Sequence, residues 1–488
     1  MSIDLSLADL SRLDRVGQVL AANDPNRQFA ALGMAEVHIS DDVLPLLAGA
    51  IDRHLQAAGH PAGYKAEVRL IVDPVLIQRQ GADLKAQVEA ILAAHHTVRR
   101  VTMDDGHPIL HADEVILDRA TAESVGAEVI VSVGGGTITD VAKVAAERNG
   151  VPVHIVVQTA ASVDGYTDNF AVVLQNGVKT TLPSRWPEVV LADTTVIADA
   201  PQYLNASGFG ELLSMYAAPG DWYLAHRMGM DTKYAPVLLE MLDLCGEGVE
   251  AWSGGIATGA PEACARLTTA LAMRGIVTGV GGTTASLSGM EHLVSHMFDM
   301  ANGELHEPTG LHGAQVGVGS VIRAAAWEVF VERVAAEGLD PASLFPAINV
   351  HEARVKAAFT WLDPSGRIGA ECWGRYAKKL AGWHASRDQI TAAFAGWDAL
   401  CSKQDSLAFG SHKMALYLHR AGAAKRHTDL APAPSADRLH WAVQNCPFMR
   451  ERFTVADLLV LAGWWDDAGV ARVLTRVEQA CAAAEKSR

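Results

Sequence analysis

The chain has 488 residues, 49% of them hydrophobic and 20% charged, with a formal net charge of −16. That balance is globular rather than disordered, and the length provides for two or three domains with a substantial core. The negative charge argues against nucleic acid or an anionic membrane surface as partner, but leaves a small anionic substrate open, because helix N-termini and a few local cations suffice for phosphate.

The six cysteines are scattered with no CxxC pair, which reads as reduced thiols in a cytoplasmic protein. The opening residues carry acids and no apolar run, so no signal peptide is expected, and no apolar stretch reaches membrane-spanning length. Residues 1–65 read as a short helical lead and irregular structure. EVRLIVD at 67–73 is a compact apolar strand ending in an acid, Asp73. ADLKAQVEAILAAHH at 82–96 has helical spacing, VRRVTMDD at 98–105 reads as a second strand, and AEVIVSV at 127–133 as a buried β-branched strand. Strands alternating with helices at this pace imply a parallel α/β sheet.

The third strand runs into Gly134, Gly135, Gly136 and Thr137 at the head of a helical stretch. Glycines there let backbone amides approach a phosphate, and the helix start adds the positive end of its dipole. The run is neither GxGxxG nor a P-loop, and a plain strand-to-helix turn explains it equally well. VPVHIVVQTAASVDGYTDN at 151–169 is a further buried strand entering a polar loop that carries Asp164. The apolar runs around Asn176-Gly177 predict a hairpin over 171–183. VVLADTTVIADAP at 189–201 adds one more strand, and the domain boundary falls at its proline.

Beyond Pro201 helix-spaced, alanine-rich segments dominate. Within them His292 and His296 sit four apart, on one face of a helix, and His312 follows after a loop. Two imidazoles on a helix and a third close behind are metal-ligand chemistry lacking only a carboxylate.

GGGTITDVAK, TAASVDG, GFGELLSMY, SGMEHLVSH and LHGAQVGVG occur in that order, with FMRERFTVADLL at 448–459 as a weaker late match. Together they resemble the sn-glycerol-1-phosphate dehydrogenase group. That group belongs to a superfamily with glycerol dehydrogenase, iron-containing alcohol dehydrogenases and 3-dehydroquinate synthase. The resemblance implies an α/β dinucleotide-binding domain with a parallel sheet over 1–200. It implies an all-helical metal- and substrate-binding domain over 201–488, with the active site in the cleft between. It assigns the metal to Glu211, His292 and His312, and places His296 near substrate. Asp164 would contact substrate beside the nicotinamide, and Asp73 would meet the adenosine ribose. Gly134, Gly135, Gly136, Thr137, Asp140, Thr159 and Ser162 would form the cofactor loops. The implied activity is a metal-dependent NAD(P)(H) oxidoreductase that interconverts a polyol or polyol phosphate with its ketone, foremost sn-glycerol 1-phosphate with dihydroxyacetone phosphate. NAD is the first expectation and NADP the second, with zinc, nickel or iron as the metal and a homodimer or higher homo-oligomer as the assembly. His296 would relay a proton and Asp164 orient a substrate hydroxyl.

Three positions depart from the group. Glu211 stands where it usually has aspartate. The synthase branch uses glutamate there, but follows it with a lysine where this chain has Ser214. Asp168 stands where a small hydroxyl residue is common, and a second acid there repels pyrophosphate unless it is turned away. Thr284 stands where related proteins often carry a basic residue. Lys143, Lys179 and Arg185 are the basic groups nearest the cofactor motifs in sequence, and each reads first as a surface charge. Two rivals remain: a synthase-like, NAD- and metal-dependent phosphate-eliminating cyclase, and a binding protein on a retired enzyme fold, which the intact histidine set disfavours.

Overall fold

In the computed structural model the described residues run from 10 to 487, without 26, 108–109 and 176–177 and without the side chains of 178 and 179. Six parallel strands form the main sheet: β1 (Glu36–Ser40), β2 (Glu67–Val72), β3 (Thr97–Thr102), β4 (Val129–Gly134), β5 (Val153–Gln158) and β6 (Val189–Asp193). Their spatial order is β1-β6-β5-β4-β2-β3. β4, β5 and β6 are buried at every position, as strands covered on both faces must be.

Alternate residues of each strand serve opposite layers. Val129, Val131 and Val133 of β4 pack with α1 (Leu46–Ala57) and α2 (Leu84–Ala93). Ile130, on the other face, packs with α3 (Glu114–Glu123) and α4 (Gly136–Asn149). The result is a sheet with helices on both sides.

Two expectations need correction. The helical lead expected within residues 1–65 is present as Leu13–Ala22, but the rest is not irregular, because β1 and α1 lie within it. EVHIS buries only Val37 and so shows no apolar run; as an edge strand its identity comes from pairing with β6, Val37 opposite Val190. The segment 189–201 is not all strand. Asp193 ends β6 and its carboxylate accepts from the Thr195 and Val196 amides, capping a short helix, Thr194–Ala198. The predicted hairpin is present as Phe170–Gln175 against Val178–Pro183, its turn Asn176-Gly177 lying outside the described residues. The signal-peptide reading rests largely on residues 1–9, also outside them.

After β6 every regular element among the described residues is a helix, including α5 (Gln202–Leu213), α6 (Pro261–Gly281), α7 (Met290–Glu304) and α8 (His312–Glu337). By compactness the chain resolves into two units. One comprises Met1–Gly208 with Glu240–Gly282, the other Phe209–Leu239 with Thr283–Arg488. No helix among the described residues is long and apolar enough to cross a membrane.

At the start of β1, Glu36 accepts from two nitrogens of Arg53, Nη2 at 2.7 Å and Nε at 3.1 Å, and lies 2.8 Å from the His38 ring. Burial acts to raise its carboxyl, but Arg53, His38 and His54 outweigh it and hold the group at about 2 against an ordinary 4.5. A depressed folded-state pKa stabilises above the unfolded value and is lost as pH falls through the folded one. Glu36→Gln should therefore lower stability at pH 7, with the gap from wild type closing between pH 4.5 and 2. Denaturant titrations across that range check it; a gap independent of pH would contradict it.

Candidate metal centre and cofactor loops

Glu211 near the end of α5, His292 in the first turn of α7 and His312 at the start of α8 bring one ligand atom each within 4.8 Å of one another. His292 Nε2 lies 3.3 Å from Glu211 Oε1, and His312 Nε2 lies 3.7 Å from Oε2. Glu211 is only 2% exposed.

Glycines set this spacing. A methyl group on Gly210 would run into the Gly313 carbonyl oxygen, and one on Gly317 would sit 3.0 Å from the Gly210 Cα. α5 and α8 thus touch backbone to backbone, one residue from Glu211 and from His312. A methyl group on Gly319 would lie 2.5 Å from the Glu291 carbonyl oxygen, so α7 meets α8 the same way. Asp221 fixes the entry to α7. It is buried, accepts from the Met290 amide at 2.9 Å and the Val455 amide at 3.2 Å, and pairs with Arg323 at 3.0 Å. Burial raises its pKa, with Arg323 opposing.

Each imidazole is oriented through its other nitrogen. His292 Nδ1 lies 2.9 Å from Glu291 Oε1, which also accepts from the Gly289 amide at 2.6 Å. Ser295 donates its one proton to Gln315 Oε1 at 2.7 Å, so its oxygen accepts from His312 Nδ1 at 3.1 Å. Both rings carry hydrogen on Nδ1 and present Nε2 toward Glu211, the tautomer a metal needs. Burial disfavours charge on His292, but Glu211 and Glu291 outweigh it and raise its pKa to about 9. Two buried carboxylates pressing on one imidazole form a donor set that suits a cation. Sequence reasoning missed Glu291, Ser295 and Gln315; the glutamate directly before His292 was the available signal.

His296, one turn along α7, stacks on His312 with centroids 5.6 Å apart and lies outside the ligand group. A second grouping among the described residues, Asp105, His107 and His111, lies toward the surface. There both Asp105 oxygens already accept the His107 and His111 amides.

In the first unit, α4 begins directly at Gly136 with Gly135 as its N-cap. A side chain on Gly136 would lie 2.6 Å from Val163, and one on Gly134 2.9 Å from Ile138; one on Gly135 would meet nothing. Gly135 also has ordinary extended backbone angles. Space over the helix N-terminus is therefore open at Gly135 alone of the three. The Thr159 amide donates to the Gly134 carbonyl, joining the ends of β4 and β5, and Ser162 follows in the same partly exposed loop. Asp140 accepts from the Val172 amide at 3.2 Å, tying α4 to the hairpin.

The remaining acids are partnered. Asp73 is held by Lys85, which also reaches the Asp73 and Val75 carbonyls. Asp164 pairs with Arg274 of α6 at 3.0 Å. Asp168 pairs with Lys143 at 2.7 Å; burial raises the acid and Lys143 opposes this. Lys143 is wholly buried, and it also binds the Gly165 and Phe170 carbonyls, so it is no surface charge. Arg185 bonds the Val151 carbonyl and Glu188. Ser214 is buried and donates to the Leu287 carbonyl at 3.1 Å.

A doubly covered parallel sheet followed by helices bearing a carboxylate–imidazole cluster is the build expected of the metal-dependent alcohol dehydrogenase class. A family model described as iron-containing alcohol dehydrogenase matches residues 49–201. A glycerol-1-phosphate dehydrogenase (NAD(P)+) of Thermococcus kodakarensis is 30% identical over 317 residues, which is 62% of this chain and 87% of that protein. Its counterpart in Haloquadratum walsbyi is 33% identical over 223 residues, and the match spans 46% of this chain and 62% of that protein. The crystal structure of a probable glycerol dehydrogenase from Sinorhizobium meliloti 1021 shares the fold. It has a TM-score of 0.54 and 15% identity, with 94% of this chain and all of that one covered. The chain belongs to the glycerol-1-phosphate dehydrogenase family.

Two outcomes are expected. Gly319→Ala should keep helical content but push on the Glu291 backbone, costing about 1–3 kcal/mol of stability and weakening metal binding. Chemical denaturation and metal titration read both, and an unchanged metal affinity would contradict it. Gly135→Val should leave the melting temperature unchanged while abolishing NADH binding in a fluorescence titration. Retained NADH affinity would remove this turn from the cofactor site.

Proposed function

We propose that the protein is a metal-dependent NAD(P)(H) oxidoreductase interconverting sn-glycerol 1-phosphate and dihydroxyacetone phosphate. The observation that carries it is the convergence of Glu211 with two imidazoles whose Nε2 atoms face it and whose Nδ1 atoms are engaged. Relatives that carry this activity as their name support the substrate.

A divalent metal, zinc, nickel or iron, held by Glu211, His292 and His312 would supply Lewis-acid polarisation of the substrate oxygen while a nicotinamide cofactor supplies or takes the hydride. Glu291 and Ser295 keep the two rings in the ligating tautomer. His296, stacked on His312, is the residue assigned to the proton that accompanies hydride transfer. Asp164, fixed by Arg274, is assigned to a substrate hydroxyl. Gly134 to Thr137, with Asp140, Thr159 and Ser162, are assigned to the dinucleotide, and Asp73 to its ribose. Lys85 offsets the charge of Asp73 and so tempers the discrimination against NADP that a bare carboxylate would impose. The Asp168–Lys143 pair likewise removes the repulsion an unpaired acid would exert on pyrophosphate. The cyclase reading is disfavoured by Ser214, whose buried hydroxyl is spent on a carbonyl where that branch carries a lysine.

The test is oxidation of NADH by dihydroxyacetone phosphate, followed at 340 nm with each metal added in turn. Glu211→Gln keeps the arm and removes the charge. It should lose metal by elemental analysis and lower turnover by at least roughly 100-fold, the upper end of what removing a mere outer partner costs. Wild-type metal content and turnover in Glu211→Gln would defeat the assignment. Consumption of a sugar-acid phosphate without net NADH loss would favour the cyclase.

A further inference from the structure

We infer that a basic pocket in the second unit, headed by Arg450 and Arg452, holds the phosphoryl group of the substrate; this rests on the polyol-phosphate reading above. The pocket has a volume of about 390 Å³ and is lined by Trp222, Thr283, Ser288, Arg375, Arg450 and Arg452 among others. That is enough for a small phosphate ester.

Arg375 pairs with Glu371 at 2.6 Å, but the other two cations have no ion pair among the described residues. Arg450 is half-buried and makes no hydrogen bond or ion pair among the described residues. Burial and the neighbouring Arg375 both lower its pKa. Arg452 donates to Thr284 Oγ1 at 2.6 Å and to the Ser288 carbonyl, which leaves other N–H groups of its fork to spare. Burial first, and then Arg450, bring Arg452 down to about 10. The Trp222 indole N–H is buried without an acceptor. Of the acids near Arg452 and Arg450, Asp221 is committed to Arg323, Glu291 is engaged by the Gly289 amide and His292, and Glu451 pairs with Lys378, which leaves Asp231 on the rim. A dianion accepting from two guanidinium forks and an indole N–H would satisfy every one of these groups.

The place is right for the proposed substrate. Thr284 occupies the position where related proteins often carry a basic residue. Here the guanidinium of Arg452, from a distant part of the chain, sits against its hydroxyl and restores the charge. Arg452 also grips Ser288 in the turn that leads into α7, so the pocket and His292 flank the same short segment. A phosphate bound here would be held beside the turn whose far end carries the metal ligand.

The experiment has a binding arm and a turnover arm. Inorganic phosphate is titrated into metal-loaded protein by calorimetry. Wild type should bind it, Arg450→Gln should weaken binding roughly tenfold or more, and Trp222→Phe roughly two- to tenfold, as expected for losing a charged and a neutral hydrogen bond. Arg450 has no bond to lose in the free protein, so Arg450→Gln should melt as wild type does; Trp222→Phe also shortens a fully buried ring and should lower the melting temperature, so its phosphate affinity is compared well below that temperature. In turnover, Arg450→Gln should raise KM for dihydroxyacetone phosphate by a similar factor while leaving dihydroxyacetone unchanged. Absence of phosphate binding in wild type, equal binding by Arg450→Gln, or equal effects on both ketones would overturn the inference. If wild type reduces neither ketone, the dehydrogenase reading fails, and the phosphoryl-site assignment falls with it. Phosphate binding that is lost in Arg450→Gln would then identify an anion site without that role.

Discussion

The second unit is arranged around contacts in which helix backbones touch with no side chain between them. Gly210 meets Gly313 and Gly317, and Gly319 meets Glu291. Close approach of this kind removes the layer of side chains that ordinarily separates packed helices by 8–10 Å. It places Glu211, His292 and His312, each near one of those contacts, within bonding reach of a common point. Because the closest approaches are backbone to backbone, the spacing has little freedom to adapt, and the ligands inherit that rigidity.

Rigidity has an electrostatic cost. Glu211, Glu291 and Asp221 are all buried close to one another, and burying carboxylates is unfavourable unless each is paired. Arg323 answers Asp221, and His292 answers the two glutamates only by staying protonated. A divalent cation relieves that arrangement more completely, and the same logic extends to the Arg450–Arg452 pocket with the opposite sign. In the first unit the compensation is internal. Lys85, Lys143 and Arg274 each face one of the acids around the glycine turn and the Asp164 loop, so the region proposed for the dinucleotide carries less negative charge than its sequence suggests.

Much of this was legible in the sequence where the signal is local. β2, β4, β5 and β6 announce themselves because covered strands are apolar on both faces, and the glycine turn after β4 because only a tight strand-to-helix junction needs it. β1 was invisible because an edge strand that buries one residue has no pattern of its own. The convergence of Glu211, His292 and His312 was legible only through motif order, since nothing in the spacing links Glu211 to His292. Partnerships made across the fold were not legible at all. Lys143 read as a surface charge and Asp168 as a repulsive acid, yet they are one buried pair. Asp140 read as a cofactor residue, and it carries a backbone amide of the hairpin. Thr284 read as a lost charge, and Arg452 stands against it.

The central claim is that Glu211, His292 and His312 jointly bind one divalent metal. Anomalous diffraction at the nickel edge, from crystals of nickel-loaded protein, tests it directly. One strong peak within about 2.0–2.3 Å of Glu211 oxygen and both Nε2 atoms is the expected result, from ordinary metal–ligand distances. A peak elsewhere, or a peak at the histidines with Glu211 turned away, would contradict it.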